Sequence, residues 1–442
     1  MMKDILVYCS NSSGQHRRQE PISLGVPFPR ATLKNGDNLS LYANQDRSIP
    51  LQPQPLAYWP DKSIRWMLCD FLADLPADSE SSFRLVAENT EAQSPENDQI
   101  KIEQGPDVWH IDTGGARFSV NTTIFNPFRK VTTASAIPIA ESTAMRLLDA
   151  QGLQWDPYVD DVALECCGPV RATLSFIGTF RRNNKNLINF VSRLHFFSGS
   201  ARTAVSMRLH NPRSARHPHN LWDLGDPSSA MIREWSLRLP LSTQEKLRLQ
   251  PEPGKGWLDL DLSSGGELHQ ESSGGYLWNS PVHRNYSGTV PLRYRGWRLE
   301  SEDRIISSGL RAQPLAWCGN GDLGVSGSLD NFWQRFPKSL KLHKNAMEFG
   351  LLPTDFPGDH ELQAGEQLTE TIRLDFAASV DDPAWGGPVV TARCALDTYR
   401  AANFFPGGLW PPTDDRHVAL LNVCLDGAKG FLAKREQIDE YG

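Results

Sequence analysis

Residues 210–227 hold the densest group of polar side chains in the sequence, combining histidine, arginine, asparagine, tryptophan and aspartate. Such a set can supply a proton-transfer group, a cation that pairs with an anionic ligand, and an aromatic surface on which a sugar ring stacks. The segment is a long connection after a predicted strand, and such loops often carry function. Its candidate functional residues are Arg216, His219, Trp222 and Asp223. The alternative is a structural loop in which Asp223 and Asp226 cap turns and Trp222 anchors the loop to the core.

Two further segments combine aromatic, amide and cationic side chains. In residues 273–285, Asn279 and His283 can hydrogen-bond a ligand, although turn chemistry alone also explains this glycine-containing segment. In residues 331–338, an exposed tryptophan beside arginine and lysine would suit a sugar that carries a carboxylate, because the ring stacks on the sugar while the cation pairs with the acid. The alternative for this segment is an aromatic core strand with basic flanks. The candidates from the two segments are Asn279, His283, Asn331, Trp333, Arg335 and Lys338.

The sequence contains no motif that identifies a particular reaction. No spacing identifies a Ser-His-Asp triad, a nucleophile elbow, a dinucleotide fingerprint or a phosphate loop. His217 and His219 could face one metal from a strand, but no third ligand has diagnostic spacing, so we predict no metal and no cofactor and leave Ca²⁺ open. A glycosidase needs two carboxylates at a set separation, which one sequence cannot place, and that class also stays open.

Charge is distributed unevenly along the 442 residues. The chain has 45 basic and 52 acidic residues and a net charge of −7, which disfavours nucleic acid and acidic lipid as partners. Residues 193–238, 284–311 and 333–344 nevertheless carry +4, +3 and +4. These segments predict either solvated basic loops or a surface that binds an anionic small molecule or glycan.

The sequence also favours a cytoplasmic location. The N-terminus lacks the basic and apolar regions of a signal peptide, and the apolar run at residues 418–423 is far shorter than the ~20 residues that span a bilayer. The seven cysteines include no C-x-x-C pair and suit reduced thiols. We therefore expect no membrane partner.

The pattern of elements is mostly β. Residues 1–98 contain short strands separated by Pro and Gly, which predict a small β-barrel followed by a polar linker at 88–98. Residues 99–380 alternate apolar and polar side chains, as the strands of a large antiparallel β-sandwich do. Residues 381–442 predict a helical segment, with a short helix at 392–403 and an amphipathic helix at 418–440. The apolar stripe of that second helix requires a surface to cover it.

Taken together, these segments resemble the exo-rhamnogalacturonan lyase family, polysaccharide lyase family 26, and its bacterial relatives. The resemblance is carried by residues 25–30 (GVPFPR), 57–66 (AYWPDKSIRW), 221–227 (LWDLGDP), 272–283, 331–338 and 361–367 (ELQAGEQ), in the family's order. It implies an N-terminal RIFT-type barrel, a β-sandwich and the start of an α/α toroid, of which the helix at 418–440 would be the first. Ala364 and Ser228 stand where glycine is expected, which affects local turns only.

The resemblance implies β-elimination at a uronic acid of an acidic polysaccharide. The carboxylate must be neutralised before the C5 proton can be removed, and a base and an acid then transfer protons. From the chemistry of the residues, we expect His219 or His283 to transfer protons. Arg216 and Arg335 would pair with the carboxylate, and Trp222 and Trp333 would stack on the sugar. The expected partner is an acidic oligosaccharide, and the oligomeric state is not predicted. The alternatives are a non-catalytic carbohydrate-binding or scaffold module and a glycoside hydrolase.

Overall fold

The computed structural model describes most of the chain. The described residues are 4–34, 38–43, 47–88, 100–136, 138–139, 141–216, 224–242, 244–381, 385–386, 390–403 and 416–442. Across them the protein is mostly β, as predicted, with an N-terminal barrel unit, large antiparallel sheets and short C-terminal helices.

Seven strands build most of the N-terminal unit. They are β1 Ile5–Asn11, β2 Arg17–Pro27, β3 Asn38–Tyr42, β4 Ser48–Ile49, β5 Leu51–Tyr58, β6 Ile64–Leu75 and β7 Ser79–Glu88. β1, β7, β3 and β4 form one sheet, and β2, β6 and β5 form another. Alternate residues of β1 are buried, so each strand contributes one apolar face to a shared core that includes Val7, Val26 and Phe71.

The strands from residue 101 to residue 379 build the sandwich. They are β8 Lys101–Gln104, β9 Val108–Asp112, β10 Ala116–Asn121, β11 Lys130–Thr133, β12 Ala144–Asp149, β13 Gln154–Cys167, β14 Arg171–Arg182, β15 Lys185–Phe197, β16 Arg202–His210, β17 Ala230–Pro240, β18 Lys246–Gln250, β19 Leu258–Leu260, β20 Gly266–Gln270, β21 Trp297–Ser301, β22 Arg304–Gly309, β23 Leu315–Asn320, β24 Leu323–Leu329, β25 Lys338–His343, β26 Ala346–Leu352, β27 His360–Leu362 and β28 Gln367–Ser379.

Two layers of antiparallel strands enclose the main core. One layer runs β19-β18-β23-β24-β28-β16-β15-β14-β13, and the other runs β12-β17-β26-β25-β20-β21-β22. β8 to β11 form a small separate sheet, whose Phe118 packs against Phe196 and Phe376 of the first layer. Buried and less buried residues alternate along β28, so one face of the strand packs against the core and the other faces outward, as a layered sheet requires.

The C-terminal segment contains β29 Thr391–Cys394, α1 Leu396–Ala402, α2 Arg416–Asp426 and α3 Phe431–Ile438. The helix expected at 392–403 is wrong in its first turn, because β29 pairs with β1 at the edge of the N-terminal sheet. The single helix expected at 418–440 is also wrong. A turn at residues 427–430 divides it into α2 and α3. Glycine suits this turn, because a Cβ on Gly427 would lie only 2.4 Å from the Val423 carbonyl oxygen.

The C-terminal helices are only partly covered by the rest of the protein. α2 has no buried residue in the part of the chain that the structure describes. Leu420, Leu421 and Val423 are each about 60% exposed. No helix among the described residues is both long and apolar enough to cross a membrane.

Hydrogen bonds and an ion pair join the N-terminal unit to the sandwich. The Gln52 side-chain oxygen accepts hydrogen bonds from the backbone N–H groups of Val170 and Arg171, at 3.1 and 2.8 Å. The Arg171 guanidinium lies 2.8 Å from the buried Asp70 carboxylate. The predicted boundary at residue 98 lies outside the described residues, and both domain boundaries stay predictions.

Candidate functional site

The connection between β20 and β21 brings together residues that are remote in sequence. Ser273, which follows β20, donates a hydrogen bond of 2.7 Å from its hydroxyl to Oδ2 of Asp439. Asp439 ends α3 in a left-handed conformation, with φ of 62°, and is fully buried. The same hydroxyl accepts a bond from the N–H of Gly275. The end of the chain is thereby fixed to the start of the connection.

His283 lies beside this pair on a short 3₁₀ turn, Pro281–His283. Its Nε2 atom is 3.9 Å from Oδ2 of Asp439, and its ring packs edge-on against Phe336 with the centroids 5.3 Å apart. Only 6% of the side chain is exposed, and Nε2 has no hydrogen-bond partner among the described residues. Burial lowers the pKa of His283, although the nearby Asp439 carboxylate opposes the shift. The shift favours the neutral imidazole, which is the form that a general base requires.

The C-terminal residues also cover Trp333. The Arg311 guanidinium carbon lies 4.1 Å from the centroid of the Trp333 ring, and Tyr441 packs edge-on against that ring at 5.0 Å. Arg311 pairs with Glu436, and the N–H of Gly442 donates to the carbonyl of Gln334. The predicted sugar platform is thus in contact with side chains of its own chain.

The two cations after Trp333 are paired within the protein. The Lys338 ammonium lies 3.2 Å from Oε1 of Glu370 and donates a 2.6 Å bond to the carbonyl of Leu351. Only 2% of its side chain is exposed. β25 is buried on both faces from Lys338 to Leu340, so this lysine lies inside the protein and not on its surface. Arg335 is 41% exposed and contacts the Thr369 carbonyl and, at 3.7 Å, the Glu370 carboxylate.

The 281–289 segment links these residues to the loop that precedes β17. A Cβ built on Gly225 would lie 3.4 Å from Cβ of Tyr286, so the two loops are in contact. Asp226 accepts a 2.8 Å hydrogen bond from the N–H of Arg216, whose side chain is exposed. Three of the predicted residues, His219, Trp222 and Asp223, lie outside the described residues, as does His217.

Several exposed polar and aromatic side chains surround the buried pair. Asn279 and Arg284 are exposed on the connection itself, and Asn331 is exposed at φ of 54°. Tyr276 is 84% exposed and Tyr286 is 43% exposed. An exposed tyrosine offers a flat apolar ring with a polar edge, which suits contact with a sugar.

The structure thus brings His283 together with the Trp333 segment and places the Gly225 loop beside Tyr286. Sequence reasoning missed the residues that complete the group: Ser273, Asp439, Arg311, Tyr276 and Tyr441. Ser273 and Asp439 are 166 positions apart, and no local pattern links them. The one available signal in the sequence is the position of Tyr276 within the turn-rich segment 273–285.

One group of side chains nearby has the composition of a metal site. Ligand atoms of Glu267, His269 and Asp355 all lie within 4.8 Å of one another. Glu267 and His269 are on β20, the strand that leads into Ser273.

Comparison with known families identifies the N-terminal unit. The family model described as "PcRGLX-like N-terminal RIFT barrel domain" matches residues 11–81. The chain carries a PcRGLX-like RIFT barrel. This confirms the resemblance for the N-terminal portion, where the model covers β2 to β6 and the segments 25–30 and 57–66.

One curated relative extends the similarity beyond the RIFT barrel. The chain is 22% identical to the uncharacterized protein YetA of Bacillus subtilis (strain 168) over 379 residues, covering 75% of this chain and 41% of YetA. The chain therefore spans less than half the length of that relative.

The chain has weak similarity to solved structures of other proteins. An α-mannosidase from Enterococcus faecalis V583 is 8% identical with a TM-score of 0.41, covering 89% of this chain and 46% of the mannosidase. A putative aldose 1-epimerase from Klebsiella pneumoniae is 10% identical with a TM-score of 0.32, covering 82% of this chain and 93% of the epimerase.

Proposed function

We propose that this chain is the barrel and sandwich portion of a lyase that cleaves uronate-containing, rhamnogalacturonan-like oligosaccharides by β-elimination. The observation that carries the proposal is the match of residues 11–81 to the PcRGLX-like RIFT barrel. The basic and aromatic side chains around His283 are the second support, because they have the chemistry that an acidic sugar requires.

In this proposal His283 removes the C5 proton of a uronate. Its burial favours the neutral imidazole, and Asp439 at 3.9 Å would stabilise the imidazolium that forms. The C5 carbanion is adjacent to a carboxylate, so that carboxylate must be paired with a cation for the proton to become acidic. Arg335 and Arg284 are the partly or fully exposed guanidinium groups on the two segments that meet at His283. Tyr276 and Tyr286 would contact the sugar rings.

Arg216, His219, Trp222 and Asp223 remain proposed contacts from the neighbouring loop. The loop is held at its base by Asp226 and Glu361, since the N–H of Gly225 donates 2.7 Å to the Glu361 carboxylate. Because this loop contacts Tyr286, a saccharide chain that lies along the 281–289 segment would pass from the loop to His283. Asn279 and Asn331 would donate and accept hydrogen bonds at its edges.

A non-catalytic carbohydrate-binding role is the second candidate. It is favoured by the engagement of Trp333 with Arg311 and Tyr441, and by the 6% exposure of His283. A general base must reach the proton that it removes. If the C-terminal residues stay in place, the chain would bind a saccharide on its exposed tyrosines without cleaving it.

The test is to incubate the chain with rhamnogalacturonan oligosaccharides and to record both unsaturated product by its ultraviolet absorbance and binding by calorimetry. We expect product from the wild type and a loss of roughly 100-fold or more in rate for His283→Gln, with binding retained. His110→Gln is the matched control, because His110 is exposed on β9 of the small separate sheet.

Binding without any unsaturated product would refute the lyase proposal and favour the binding module. New reducing ends without unsaturated product would indicate a glycoside hydrolase instead. Absence of both binding and product would overturn both candidates for this chain.

A further inference from the structure

A cluster on the outer face of the second layer has the geometry of a divalent-metal site. Glu267 and His269 are alternate residues of β20, so their side chains lie on the same face of the sheet. Asp355 follows β26 and reaches the same place. One carboxylate oxygen from each acid and a ring nitrogen of His269 all lie within 4.8 Å of one another.

The hydrogen bonding of His269 leaves one nitrogen available for a ligand. Nε2 lies 3.1 Å from Oε2 of Glu271, and the ring is 93% buried. Among the described residues, Nδ1 has no hydrogen-bond partner. A buried polar atom without a partner is costly, and metal-binding histidines commonly donate their other ring N–H to a carboxylate in this way.

The carboxylate behind His269 is itself held rigidly. Arg293 donates to both oxygens of Glu271 from its side chain, at 3.0 and 2.6 Å, and its backbone N–H adds a third bond of 2.7 Å. Glu271 is fully buried. This arrangement orients the His269 ring and fixes Nε2 as the protonated nitrogen, which points the lone pair of Nδ1 away from Glu271.

The two carboxylates already enclose a positive charge. The Lys341 ammonium lies 3.1 Å from Oε2 of Glu267 and 3.0 Å from Oδ2 of Asp355. The other oxygen of Glu267, Oε1, is buried and has no hydrogen-bond partner in the described part of the chain. Asp355 is 47% exposed, so the cluster opens to solvent on that side, and a metal ion would have to displace the Lys341 ammonium from the two carboxylates.

We propose that Glu267, His269 and Asp355 bind a divalent transition-metal cation such as Zn²⁺ or Mn²⁺, with Glu271 and Arg293 as the supporting shell. One imidazole and two carboxylates suit these ions. Ca²⁺ fits less well, because it takes about six to eight oxygen ligands. Three protein ligands leave at least one coordination position for water or for an anionic group of a ligand.

The experiment is a titration of the metal-free chain with Zn²⁺ alone, monitored by isothermal titration calorimetry. We expect one ion per chain, and a loss of affinity of at least about 10-fold in each of Glu267→Gln and Asp355→Asn. Glu271→Gln, which removes only the supporting carboxylate, should weaken binding about 10- to 100-fold. Lys341→Met should strengthen binding, because it removes the ammonium that competes for the same carboxylates.

His110→Gln is the control for adventitious binding, because His110 is an exposed histidine in the small separate sheet. Co²⁺ provides a second readout, since the position and intensity of its visible absorption bands depend on its ligands and should change in His269→Gln. Circular dichroism of each metal-free variant checks that it is folded. Wild-type affinity in folded Glu267→Gln and Asp355→Asn, or no one-to-one binding in the wild type, would overturn the proposal.

Discussion

Lys338 shows how burial decides the role of a charged side chain. Its residue type and its position after a tryptophan predict a ligand contact, yet its ammonium is enclosed with Glu370 and the Leu351 carbonyl. Desolvation lowers the pKa of Lys338, and the Glu370 carboxylate opposes that shift. Such a buried pair stabilises the fold only while both partners are present, because removal of one leaves the other as an unpaired buried charge.

We predict that Lys338→Met destabilises the protein by about 3 to 5 kcal/mol, because it removes the closer of the two cations that pair with the buried Glu370 carboxylate and leaves Arg335 at 3.7 Å. The double variant K338M/E370L should recover most of that loss. Urea denaturation measures both. Lys344→Met, at an exposed position, should change stability by less than about 0.5 kcal/mol. Unchanged stability of Lys338→Met with weaker saccharide binding would contradict the structural role.

A second prediction at this scale concerns His195 and pH. Burial, reinforced by Arg171 and other nearby guanidinium groups, lowers the pKa of His195 to about 4. The folded state therefore binds the proton less readily than the unfolded state, whose histidine titrates near 6.5. The neutral His195 therefore makes its full contribution to the free energy of unfolding above about pH 6.5. That contribution is lost as the pH falls towards 4, which lowers the free energy of unfolding by up to about 3 kcal/mol.

The measurement is the free energy of unfolding of wild type and His195→Gln between pH 7.5 and pH 4, by urea denaturation. The glutamine variant should lose less stability over this range, because it lacks the buried titrating group. His343→Gln, at an exposed histidine, should follow the wild type. Parallel pH curves for wild type and His195→Gln would show that His195 titrates normally in the folded protein.

At the scale of elements, the sequence predicts strands well and the C-terminal helices poorly. Alternation of apolar and polar residues marks β14, β15 and β28, because one side of each faces the core. The stripe at 418–440 has helical spacing, but the close approach of Gly427 and Gly430 to backbone carbonyls divides it. Spacing alone does not reveal such a break.

The candidate site could be predicted only in part, for a similar reason. His283 and Trp333 are visible as residue types within turn-rich segments. Asp439 is not, because its contact with Ser273 depends on the path of the whole chain. The RIFT barrel segments were recognisable because they carry a family pattern rather than a physical periodicity.

Asp439 gives a prediction for docking of the C-terminal segment. Asp439→Ala removes the hydrogen bond from Ser273 and places alanine at φ of 62°, and together these should cost roughly 2 kcal/mol locally. Hydrogen exchange at the N–H groups of Tyr441 and Gly442, which bond to Asp439 and Gln334, should accelerate. Asp439→Asn is the matched control, because asparagine accepts the same bond and tolerates this conformation. Equal exchange in wild type and Asp439→Ala would mean that other contacts hold the segment.

At the scale of the whole molecule, part of the unevenly distributed charge is neutralised by ion pairs within the protein. Acids from elsewhere in the chain pair with basic residues of the three positive segments. These pairs include Arg193–Glu165, Arg202–Asp375, Arg293–Glu271, Lys338–Glu370 and Lys341–Asp355. These basic residues therefore join different elements of the fold. Other basic residues, such as Arg284, stay exposed and could contact an acidic ligand.

The joint between the RIFT barrel and the sandwich is polar, and this has a measurable consequence. Gln52 is 7% exposed, and its oxygen is the acceptor for two backbone N–H groups of the sandwich. Gln52→Ala leaves both donors without this partner, and a lost buried acceptor of this kind should cost about 2 kcal/mol. Because the bonds cross between the two units, the loss should reduce their coupling as well as their stability.

Denaturant unfolding of Gln52→Ala should therefore show a lower midpoint and a broader transition, as the RIFT barrel and the sandwich unfold less cooperatively. Gln54→Ala is the matched control, since Gln54 is exposed two residues along the same strand. Asp70→Asn should act in the same direction, because it weakens the ion pair to Arg171. A Gln52→Ala transition as sharp and as stable as that of Gln54→Ala would mean that apolar contacts alone couple the two units.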